Sequence, residues 1–101
     1  MDIFYKQQQQ EITEHHIYRE LAAISKDSDN TATLNEIAEQ ELGHYHFWKE
    51  ITGKEAIPNQ REINKYIRLS KIFGLSFALR LMEKGEVDAT VFYDSIADKY
   101  P

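Results

Sequence analysis

A chain of 101 residues is limited to one domain with a modest buried core. Its net charge of -5 argues against nucleic acid as a partner, and the absence of cysteine excludes a disulfide framework, an iron–sulfur cluster and a thiolate iron site of the rubredoxin kind. No apolar run approaches the roughly 18 residues of a membrane-spanning helix, and no signal peptide opens the chain. The expectation is therefore a cytoplasmic domain, 1–101, that meets a membrane only through a fused or partner domain.

Glu, Lys, Gln, Ala, Leu and Ile dominate, with two Pro and four Gly to interrupt them, so the fold class expected is all-α. The first helix is predicted over about 2–25, with Asp2 as its N-cap. Its inner stripe reads Phe4, Gln7, Gln8, Glu11, Glu14, His15, Tyr18, Leu21 and Ala22, apolar at the ends and polar in the middle. The run from Gln7 to Gln10 is too short to count as low complexity. Lys26 to Asn30 reads as a polar turn. The second helix is predicted over about 31–52, stopped by Gly53. A connector with Pro58 leads to a third helix over 60–73. Gly74 marks a break, and a last helix is predicted over about 75–99. No segment shows strand alternation.

The second helix carries the chemistry. Its stripe is Leu34, Ile37, Ala38, Glu41, His44, Tyr45, Trp48 and Ile51, which puts a carboxylate and an imidazole amid apolar residues. Burying them uncompensated costs roughly several kcal/mol, and a bound cation would compensate both. A Glu-x-x-His pair is also common at solvated helix edges, and the surrounding pattern is what favours the metal. EITEHHIYRELA, from Glu11, and EVDATVFYDSIA, from Glu86, repeat a Glu followed two turns later by a Tyr and then an Ala: Glu11, Tyr18 and Ala22, then Glu86, Tyr93 and Ala97. The last helix adds Glu83 on the same stripe as Glu86. Three helices thus place a carboxylate mid-stripe.

The set Glu11, Tyr18, Glu41-x-x-His44, Glu86 and Tyr93 resembles the ferritin-like superfamily in its rubrerythrin branch. HYHFWKEITGKE and GLSFALRLMEKGE are similar to the ferritin-like cytosolic domain at the N-terminus of some vacuolar-iron-transporter-type membrane proteins, over nearly the whole chain from Glu11 to Tyr100. The resemblance implies a helical bundle holding two irons, with a single Glu from each of two helices and a Glu-x-x-His from each of the other two. Carried over by position, Glu11 and Glu86 are the single-Glu ligands, and Glu41 with His44 is one Glu-x-x-His pair. Glu14 and Glu83 are further candidate ligands, one turn away. Tyr18 and Tyr93 are expected to hydrogen-bond the ligating carboxylates, and His15 to stand behind the ligands in the core. Iron is the implied metal, with manganese or zinc chemically compatible.

The pattern departs from the family in one respect. The interval from Glu11 to Glu41, counted on from Glu86, would put the second Glu-x-x-His beyond Pro101. The 101 residues are thus expected to hold no ready-made single-chain di-iron site. Either a longer chain or a second copy, in a homodimer or larger homo-oligomer, would complete it. The function expected is iron binding and Fe(II) oxidation of the ferroxidase kind for storage, transport or sensing. The alternative is a metal-free helical module for self-association, driven by apolar surface that a missing helix leaves bare. His16 and His46 fall off the stripes and are expected in solvent, as are Glu36 and Glu39.

Overall fold

The computed structural model describes residues 3–84. Three helices are delimited: α1 (Ile3–Ile24), α2 (Ser28–Thr52) and α3 (Gln60–Phe73). A further helical stretch covers 75–84, and no strand occurs among the described residues. The all-α expectation stands at this level. The chain divides into two compact units, Met1–Arg68 and Leu69–Pro101.

In the first unit α1 and α2 form an antiparallel hairpin around a three-residue connection, as short helix–helix loops require. The turn is shorter than the sequence suggests, because α2 starts at Ser28 rather than near Thr31. Asp27 is the reason. In extended conformation (φ -100°), its carboxylate accepts from the backbone N–H groups of Asp29 and Asn30, capping a helix whose first turn is the polar cluster itself. At the other end Gly53 adopts φ 68° and its N–H returns to the Lys49 carbonyl at 2.8 Å, the stop expected there.

Contacts along the hairpin run in antiparallel register. Near the turn, Arg19 bonds Asn35 at 3.0 Å and pairs with Glu39. Midway, His15 Nδ1 meets the Ala38 carbonyl at 2.7 Å. At the open end, Thr52 Oγ1 donates to Gln8 Oε1 at 2.6 Å. The seam between these points is filled by Ile17, Leu21, Leu34 and Ala38, each 3% exposed or less. Removing such side chains from water stabilises the pair by about 1.5–3 kcal/mol for each large aliphatic group.

The segment after Gly53 folds back over α1, burying the middle of that helix on more than one side. Residues 11–15 are all buried, which a one-sided amphipathic stripe does not anticipate. Three polar ties hold the segment. Gln8 Nε2 donates to the Lys54 carbonyl at 2.6 Å, Gln9 Nε2 to the Ile57 carbonyl at 2.9 Å, and the Asn59 N–H to Thr13 Oγ1 at 2.9 Å. Ile12, Tyr45 and Ala56 make a small core there, with Tyr5 and Leu42 against it. The Tyr45 hydroxyl accepts the Ala56 N–H at 3.2 Å.

In the second unit, Gly74 breaks the helix after Phe73 with φ 97°, as the sequence indicates. Its N–H bonds the Ser70 carbonyl at 2.9 Å, and the Phe73 and Phe77 rings lie 5.0 Å apart across the break. The predicted N-cap Asp2, the remainder of the 75–99 helix, and the site residues Glu86 and Tyr93 lie outside the described residues.

Candidate metal centre

The hairpin register brings Glu11 of α1 opposite Glu41 and His44 of α2. Glu41 and His44 are three residues apart and project from the same face about one turn apart. One ligand atom from each of Glu11, Glu41 and His44 falls within 4.8 Å of the other two. His44 Nδ1 lies 3.4 Å from Glu11 Oε2 and 3.7 Å from Glu41 Oε1. Spacing of this kind suits a cation held among the three rather than direct hydrogen bonds alone.

Burial separates the members. Glu11 is 8% exposed, Glu14 6% and Glu41 8%, so three carboxyl groups share the interior of one small hairpin. The His44 side chain is 58% exposed. It stands at the rim, where the inner stripe of α2 was expected to be covered. Ile51, farther along that stripe, is likewise exposed.

The three carboxyls are satisfied unequally. Glu11 Oε1 accepts from Gln7 Nε2 at 2.6 Å, and Glu14 Oε1 accepts from Gln10 Nε2 at 2.7 Å. Glu41 Oε2 is buried and receives no hydrogen bond. The Glu41 carboxyl as a whole neighbours those of Glu14 and Glu11, and ionised carboxylates are acceptors only, so their approach becomes a bond only when a proton or a cation enters. Burial first, then sharing a proton with Glu14 and Glu11 and repulsion from both, pushes the Glu41 carboxyl up to about 11. The protonated form of Glu41 is thereby favoured over the anion among these carboxyls. Tyr66 of α3 is raised as well, by burial, then by Glu62 and Glu14.

Several expectations can be placed. His15 is buried with Nδ1 engaged by the Ala38 carbonyl, a core position behind the carboxylates. An acceptor at Nδ1 fixes the proton on that nitrogen. Tyr18 is 4% exposed on the same helix. His16, His46, Glu36 and Glu39 are exposed, as their places off the stripes indicate. Glu83 is exposed and belongs to the second unit.

Sequence reasoning passed over the glutamines. Gln7 and Gln10 sit one helical turn before Glu11 and Glu14 and hold them, whereas Gln8 and Gln9 hold the connector. The signal was available in the i, i+4 spacing of amide and carboxylate. The chain matches no family model, no curated protein and no solved structure. The reading of this centre therefore rests on its residues.

Proposed function

We infer that this chain is a ferritin-like iron-binding domain whose ligands are Glu11, Glu41 and His44. The observation that carries the reading is Glu41. A largely buried carboxyl, its side chain 11% exposed, with one oxygen unpartnered, beside two other buried carboxyls and an imidazole, is costly to keep as an anion in a metal-free protein and well suited to a cation. Mixed oxygen and nitrogen donors suit Fe(II), and also manganese and zinc.

In this reading Glu11 and Glu41 provide anionic charge from opposite helices, and His44 provides a neutral nitrogen from the rim. Glu41 gives up its proton to bind, so uptake releases protons. When bound, iron supplies redox chemistry with oxygen, the ferroxidase-type activity proposed. Glu14 stands beside Glu41 as a further carboxylate able to enter the set. Three ligands are too few for two irons. A second copy, meeting the first at the exposed edge that carries His44, would bring another Glu11, Glu41 and His44 and complete the site. Storage, transport or sensing of iron is the role proposed on resemblance.

A metal-free self-association module is the competing reading, and the exposed Phe47 and Ile51 of α2 with Phe4 of α1 favour it. Metal-stripped protein equilibrated with Fe(II) under anaerobic conditions and then assayed for retained metal separates the two. Wild type is expected to retain iron and Glu41→Ala to retain none. Equal retention by both, or none by either with assembly unchanged in the variant, would favour the metal-free module.

A further inference from the structure

Resting on the metal-binding reading above, we propose that Gln7 is a positioning residue, which divides the two oxygens of Glu11 between protein and metal. Gln7 Nε2 takes Glu11 Oε1 at 2.6 Å, and it is the other oxygen, Oε2, that faces His44 Nδ1 at 3.4 Å. The amide thereby turns the carboxylate so that one oxygen alone is presented to the centre. Gln10 holds Glu14 Oε1 at 2.7 Å in the same way. Glu41 has no such amide tie, and its buried Oε2 is without a hydrogen-bond partner beside Glu11 and His44.

The choice of donor matters. An amide satisfies one lone pair and leaves the carboxylate its full negative charge for the metal. A Lys or Arg in that place would tie the same oxygen but compete with the metal electrostatically. Partners that orient a ligating carboxylate change metal affinity by about 10–100-fold when removed. Gln7 is half-buried, so its removal leaves the core intact.

The test is cobalt(II) binding to the full chain, followed by the visible absorption of the bound ion, in wild type, Gln7→Met, Gln7→Lys and Gln9→Met. Met keeps the length and helix preference of Gln without the donor. Gln9 donates to the Ile57 carbonyl and serves as the control for loss of any glutamine in this run. Affinity in Gln7→Met is expected to fall by about tenfold or more with altered band intensities, while its helical content and thermal midpoint stay near wild type. Gln7→Lys is expected to keep the helix pair yet bind no better than Gln7→Met, and Gln9→Met to bind like wild type. Binding by Gln7→Met equal to wild type, recovery in Gln7→Lys, or an equal loss in Gln9→Met would each overturn the proposal. Absence of cobalt binding in wild type would instead overturn the metal-binding reading itself. A metal-free readout stands beside these. In 15N-labelled protein, the Gln7 side-chain amide is expected to shift toward its solvent position in Glu11→Leu, and an unchanged signal would contradict the tie.

Discussion

Glu41, Glu14 and Glu11 lie buried together, and their burial is met in two ways. Glu11 and Glu14 borrow an amide from the preceding turn, whereas burial and the two neighbouring carboxyls push the Glu41 carboxyl up and favour its protonated form. The consequence for stability has a definite sign. The folded-state value of Glu41 lies above its unfolded value of 4.5, so its contribution is fully present below about pH 4.5 and is lost as pH rises toward about 11. Across that window stability falls as pH rises. Glu41→Gln resembles the protonated form at every pH. In urea unfolding of metal-free protein, the variant is expected to be more stable than wild type at pH 8, by a margin that shrinks toward pH 5. A margin independent of pH would show that Glu41 is ionised in the fold. The Glu-x-x-His spacing made Glu41 and His44 legible in the sequence, but a stripe records which face a residue is on and not how deep it lies. That is why His44 was expected under cover and is at the rim.

The helices themselves were largely legible, because their interiors lack Pro and their ends carry strong signals. Gly53 and Gly74 stop their helices with φ of 68° and 97°, which other residues adopt only with strain. The start of α2 was misread because Asp27, Ser28, Asp29 and Asn30 look alike as turn formers, and which of them caps is settled by geometry rather than composition. Asp27→Ala should lower thermal stability by about 1 kcal/mol, measured by circular dichroism, since two backbone N–H groups lose their acceptor. The fold-back of the segment after Gly53 was invisible to a periodicity argument, as it rests on side-chain amides reaching backbone carbonyls far along the chain. Gln8 is 0% exposed, accepting from Thr52 and donating to the Lys54 carbonyl. Gln8→Met removes both bonds, leaving the Thr52 hydroxyl its longer 3.4 Å approach to the Lys54 carbonyl, and should cost about 1–3 kcal/mol in urea unfolding. A neutral outcome would mean that the connector is held by its apolar contacts through Ala56.

For the whole molecule, the first unit is a small hairpin that spends much of its interior on carboxylates. A chain of this size has little stability to set against that burden, so a ligand that binds only the folded state would add directly to stability. The edge where His44 is exposed also carries Phe47 and Ile51, both more than half exposed. An apolar edge next to an incomplete ligand set is what links the proposed iron centre to the proposed pairing of chains. None of the helices among the described residues is long and apolar enough to cross a membrane. The measurement that tests the account most directly is native mass spectrometry of metal-stripped protein before and after anaerobic addition of Fe(II), with Glu41→Gln in parallel. Wild type is expected to form an even oligomer that gains a fixed whole number of irons, and the variant to gain none. Wild type that gains no iron, or a variant that gains the same number, would contradict it.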